Sequence, residues 1–114
     1  MTDHSPLNFD MLNSFTGGDK AMMEQFFTLY IEESEKNIKC LSENCTDGQN
    51  EDWVANAHLL KGGSGSIGAE GMHRLCSQAQ EMKDSTQIDR AKKLQEIITE
   101  FQRVKNQMSA LMAE

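Results

Sequence analysis

The stretch Trp53 to Ala69 reads W-V-A-N-A-H-L-L-K-G-G-S-G-S-I-G-A and holds the single tryptophan, one of three histidines and four of the eight glycines. Read as a helix at about 100° per residue with His58 as zero, it places Trp53, Leu60 and Ile67 at about 180 to 220°. Ala57 and Ser64 flank that apolar pole, so His58 is expected to face water on the opposite side. Its neighbours there, at helical spacing, are Val54, Ala55, Lys61, Gly62 and Gly65. Glycine inside a helix costs about 0.5 to 1 kcal/mol against alanine, so Gly62, Gly63 and Gly65 together weaken the segment by about 2 to 3 kcal/mol. A structural role alone explains that badly. A need for another backbone or a phosphate to come close explains it well.

On the N-terminal side, Ser5 followed by Pro6 predicts an N-cap with proline at the first helical position. It opens a short helix through about Phe15, in which Leu7, Met11, Leu12 and Phe15 close one end of a bundle. Thr16-Gly17-Gly18 breaks that helix, and Asp19 caps the next. From Lys20 to about Asn44, Met23, Phe27, Tyr30, Ile38, Leu41 and Cys45 recur at three and four residues, which predicts a long amphipathic helix. Met22 and Phe26 widen its stripe and are expected in the core. Thr46 to Asn50 is a polar turn whose Asn50 caps the His58 helix, and Gly68 ends that helix.

On the C-terminal side, Ala69 to about Lys83 is expected as a helix with Met72, Leu75, Cys76, Ala79 and Met82 inward. Asp84-Ser85-Thr86 turns the chain. The last helix, about Gln87 to Met112, places Ala91, Leu94, Ile98, Phe101, Met108 and Leu111 or Met112 on one stripe, with Lys105 interrupting it. Four substantial helices joined by short turns imply antiparallel neighbours. The expected fold is therefore all-α: an up-down-up-down four-helix bundle with a short extra N-terminal helix, one domain over 1–114 with its core at about 19–112.

Composition narrows the function classes. The chain has 114 residues, a single proline and 38% hydrophobic residues, enough for a core without metals or disulfides. Its 18 acidic and 11 basic residues give a net charge of −7, which disfavours nucleic acid and anionic membranes and favours a protein partner. Cys40, Cys45 and Cys76 are odd in number and lack C-x-x-C spacing, so reduced thiols are expected rather than a disulfide framework or a zinc site. No apolar run approaches a membrane span and no basic-then-apolar leader precedes the first helix, so a cytoplasmic location is expected.

Gly63-Ser64-Gly65-Ser66-Ile67-Gly68 formally matches G-x-G-x-x-G, but that fingerprint works between a strand and a helix, and an amphipathic helix precedes it here. A metal site would need a second ligand beside His58. His4 lies in the tail, His73 is on another helix, and no carboxylate stands three or four residues from His58.

His58-Leu59-Leu60-Lys61-Gly62-Gly63-Ser64-Gly65-Ser66-Ile67-Gly68-Ala69 resembles the signature of histidine-containing phosphotransfer (HPt) domains, H-x-L-K-G-S-S-x-x-x-G-A. The similarity continues through Leu75, Cys76 and Gln80, and backward to Phe9-Asp10, Leu12 and Gly17-Gly18-Asp19, covering most of the chain. The resemblance implies an intermediate of a multistep His-Asp phosphorelay, which takes a phosphoryl group from a receiver-domain aspartate and passes it to another receiver. The family's phosphoacceptor matches His58, its phosphate-neutralising lysine matches Lys61, its close-approach glycine matches Gly62, and a glutamine near the phosphohistidine in some members matches Gln80. Gly63 departs from the pattern, standing where many members have serine.

Receiver domains of response regulators or hybrid histidine kinases are the implied partners of a monomer. No intrinsic cofactor is expected, the Mg²⁺ belonging to the receiver. Residue chemistry agrees, since an outward imidazole with no carboxylate one turn away is suited to act as a neutral nucleophile. Lys61 can offset charge on the transferred oxygens, and Gly62 and Gly65 leave room for a partner's aspartyl phosphate. Nothing resembles an ATP-binding module, so no autokinase activity is expected. The rival acceptor His73 lacks neighbouring glycines and a lysine one turn on. A rival function is a non-catalytic adaptor bundle binding through an apolar patch. A metal- or cofactor-binding bundle would instead turn histidines inward.

Overall fold

The computed structural model describes residues 6–43 and 50–113. Five helices follow in order: α1 (Phe9–Thr16), α2 (Lys20–Glu43), α3 (Asn50–Ser66), α4 (Glu70–Gln80) and α5 (Gln87–Met112). Each of α2, α3 and α4 packs on its successor and α5 returns to α2, closing a four-helix ring. With turns this short, consecutive helices run antiparallel. The fold is the all-α four-helix bundle expected, with α1 as the extra helix against α2.

Helix ends show why the chain divides there. Asp19 accepts the Met22 N–H at 3.1 Å and caps α2 as expected. Gly68 ends the α3 region with φ +81°, while Ala69 N–H reaches Ser64 O at 2.9 Å and Gly68 N–H reaches Gly65 O at 3.3 Å. These paired bonds are the reversal that a left-handed glycine permits. Thr86 caps α5 by accepting the Asp89 N–H at 3.2 Å.

Several expectations need correction. The cap of α1 is Asn8, which accepts the Met11 N–H at 3.0 Å, so Pro6 precedes the helix; Ser5 lies outside the described residues. The segment before α1 is committed elsewhere. Leu7 is buried with its N–H on Gln107 Oε1 at 2.9 Å, and Asn8 N–H bonds Gly68 O at 2.8 Å. Leu12 is in the core, whereas Met11 is exposed.

Asn50 is already helical and does not act as the expected cap; its side-chain oxygen accepts a bond from Arg90. The expectations at Asn44, Cys45 and the 46–49 turn fall outside the described residues. Met22 is exposed, not core, and Phe26 is half-buried. Helix α4 stops at Gln80, three residues before Lys83, leaving Met82 half-buried in the turn.

The inward face of α5 is the largest revision. Arg90, Leu94, Ile97, Phe101, Val104 and Met108 are buried, whereas Ala91 and Ile98 point outward. The stripe is rotated because its first position is an arginine. Arg90 is fully buried, and its guanidinium donates to Lys83 O at 2.6 Å and Met82 O at 3.4 Å while lying 5.7 Å from the Trp53 ring. Bonds to carbonyls and an aromatic face offset the cost of taking that charge from water. Lys105, off this stripe, lies 4.8 Å from the Phe101 ring.

The core joins all four main helices through Phe27, Tyr30, Trp53, Leu60, Met72, Ile97 and Phe101, with Tyr30 and Phe101 meeting edge to face at 6.0 Å. Trp53, Ala57 and Leu60 are buried, as the angular reading of α3 requires. The opposite edge of α3 is thereby held on the surface.

Candidate functional site

His58 is exposed on the outer side of α3. Its ring is engaged from α4: Gln80 Nε2 lies 3.3 Å from His58 Nδ1. Among the described residues this is the imidazole's one side-chain hydrogen bond, and it engages Nδ1, not Nε2. Around the pair runs a shallow groove of about 360 Å³ lined by Glu51, Val54, Ala55, His58, Gln80 and Lys83. Val54 and Ala55 come from the turn before His58, as their spacing predicts.

The residues singled out in the sequence do not all gather at this groove. Lys61 is half-buried on the α4 side of α3, and its charge is felt by the Cys76 thiol. Burial dominates that thiol and pushes it up to about 12, with Lys61 drawing it partly back. Gly62 is exposed, and a Cβ there would meet nothing within 4 Å. The protein's own packing thus gives no reason for glycine at this position. Gly63 is similar, since its Cβ would make an ordinary contact with Tyr30 at 3.8 Å.

Gly65 has a different role from the one expected. A Cβ there would sit 3.0 Å from Cδ2 of His73, so the missing side chain makes room for an imidazole of this same chain. His73 is exposed on α4 and rests against Gly65.

Beneath the glycines, Ser64 is fully buried and shares a 2.8 Å hydrogen bond with Tyr30 of α2. Burial pushes the Tyr30 phenol up to about 12, outweighing hydrogen bonds from Ser64 and Ser34. This contact fixes α3 against α2 at the level of the glycine run.

Lys83 and Glu51 of the groove were not singled out in the sequence. For Lys83 a signal exists, since it follows Gln80 by three residues. Glu51 carries one too, since it stands seven residues before His58 on α3, about two turns away on the same face. Among the described residues, no group of three or more His, Cys, Asp or Glu is placed to hold a metal ion, and no helix is long and apolar enough to cross a membrane.

A closed helical bundle that displays an accessible histidine, backed by a glutamine from the adjoining helix, is a class of fold able to present an imidazole to a partner. The family model of the Hpt domain matches residues 25–113, and the chain belongs to that family. No curated protein and no solved structure matches it. Membership gives the chain a histidine phosphotransfer role in phosphorelays in general, and Hpt domains interact with receiver domains.

Proposed function

We propose that the chain is a single-domain phosphorelay intermediate that accepts a phosphoryl group on His58 from a receiver aspartate and passes it to another receiver. The observation that carries this reading is exposed His58, engaged at Nδ1 by Gln80.

The chemistry follows from the tautomer. Nε2 attacks with its lone pair only if Nδ1 carries the ring proton. Gln80 then presents its carbonyl oxygen to that N–H, which a half-turn of the amide supplies without moving the backbone. As the Nε2–P bond forms, the P–O bond to the receiver's aspartate breaks and the carboxylate leaves. The ring gains positive charge, which the Gln80 oxygen faces. Onward transfer reverses these bond changes on a second receiver, whose own site supplies the Mg²⁺.

Lys61 and Lys83 flank the histidine from α3 and the α4–α5 turn, and they offset charge on the three phosphoryl oxygens. Gly62 gives the receiver's acyl phosphate room to approach. Docking uses the adjoining apolar groove of about 290 Å³ between α2 and α3, where Leu29 and Leu59 stand exposed beside half-buried Phe26. The exposed Phe9 and Met11 of α1 and Met22 of α2 extend the apolar surface available to a partner. A monomer in the cytoplasm fits this role.

Incubation with receivers carrying a labelled aspartyl phosphate tests the proposal. The wild type should become labelled and then label a second receiver. Failure to take label from any receiver of the host would leave an adaptor role as the better reading.

A further inference from the structure

Gln80 is delivered to His58 by the last turn of a short helix. Helix α4 stops at Gln80 itself, and its last turn is tightened by Glu81 N–H on Gln78 O at 3.1 Å and Met82 N–H on Ala79 O at 3.0 Å. Two fully buried side chains grip the backbone on either side. The indole N–H of Trp53 donates to Ala79 O at 2.8 Å, at the residue immediately before Gln80. Beyond it, Arg90 donates to Met82 O at 3.4 Å and Lys83 O at 2.6 Å, while also bonding Asn50 in the first turn of α3 and lying over the Trp53 ring.

Helix α3 therefore holds successive residues of α4 from its two faces, Ala79 through Trp53 and Gln80 through His58. We propose that Trp53 and Arg90 are positioning residues of the phosphotransfer site, fixing the end of α4 so that the Gln80 amide meets His58 Nδ1 and Lys83 stands at the groove. This rests on the phosphotransfer reading of His58. Buried hydrogen bonds to the carbonyls around Gln80 restrict the backbone that a lone surface glutamine would leave free to fray. The amide then stands at Nδ1 before a receiver arrives, and with its oxygen turned to the ring it favours the tautomer suited to attack.

The test compares wild type, Trp53→Phe, Arg90→Lys, Gln80→Ala and the Trp53→Phe/Gln80→Ala double variant, with Ile97→Val as a core control. Imidazole ¹⁵N resonances of His58 report its tautomer without any transfer, and stopped transfer from a phosphorylated receiver gives the rate. Trp53→Phe and Arg90→Lys should move the His58 resonances in the direction set by Gln80→Ala and slow transfer at least threefold. The double variant should be no slower than Gln80→Ala alone, and Ile97→Val should lower the melting temperature with the resonances unmoved.

Trp53→Phe and Arg90→Lys that lose stability but keep wild-type resonances and rates would overturn the proposal, as would a double variant slowed by the product of the single effects. If Trp53→Phe does not fold, Arg90→Lys decides by the same resonances and rate. If wild type takes no phosphoryl group, the phosphotransfer reading fails, while the resonances still show whether Trp53 and Arg90 control the Gln80 contact.

Discussion

Replacing Gly62 by alanine should make the protein more stable and a poorer phosphoryl carrier. Gly62 lies inside α3, and a Cβ built on it meets nothing within 4 Å. The substitution therefore gains helix propensity and reduces the freedom of the unfolded chain without a clash, a stabilisation of about 0.5 to 1 kcal/mol. For a chain of 114 residues this corresponds to a rise in Tm of about 2 to 5 °C. The same methyl stands on the surface four residues from His58, where the receiver must come within bonding distance. A displacement of the reacting atoms by about 1 Å can cost up to about a hundredfold, so a slowing of at least about fivefold is expected. Thermal unfolding and single-turnover transfer on one preparation measure both. A variant that melts higher and transfers at the wild-type rate would refute clearance as the reason for the glycine. One that melts lower would refute the helical reading of the position.

Further outcomes follow from the same contacts. Gly68→Ala should destabilise by more than about 1 kcal/mol in chemical denaturation, because the residue has φ +81° and a Cβ would stand 3.2 Å from Asn8 O; an unchanged midpoint would contradict this. Tyr30→Phe should lower stability by about 1 to 2 kcal/mol by leaving the buried Ser64 hydroxyl without its 2.8 Å partner, and Tyr30→Phe/Ser64→Ala should regain part of the loss. Burial raises the Cys76 thiol from 9.0 and the Tyr30 phenol from 10.0, each to about 12. Below the unfolded values their stabilisation is fully present. As pH rises from about 9 toward 12 the unfolded chain loses these protons first, so stability should fall. Cys76→Ala should flatten the first part of that fall, and the native Cys76 thiol should resist alkylation at pH 8. Lys61→Ala should slow transfer with little loss of folding, and an unchanged rate would remove Lys61 from the phosphate's surroundings.

Much of the site is legible in the sequence because one helix carries its central part. The angular separation of His58 from Trp53, Leu60 and Ile67 follows from helical geometry alone, and the structure places those four residues accordingly. The same local logic reaches Asp19 as a cap and Gly68 as the reversal. It fails where a third partner decides. An arginine at the head of α5 reads as polar surface, yet turn carbonyls and Trp53 satisfy it in the core, which rotates the inward stripe to Ile97 and Val104. Gly65 reads like Gly62, and the difference between them is His73, which reaches it from α4. Periodicity also cannot fix how wide the buried face of α2 is: Met23 packs against the core while Met22 beside it stays exposed.

The central claim concerns one ring. Phosphoryl groups delivered from a phosphorylated receiver and mapped by mass spectrometry at neutral pH should reside on His58 alone, and His58→Gln should carry none while keeping its fold. Phosphate on His73, or equal labelling of His58→Gln, would contradict the account.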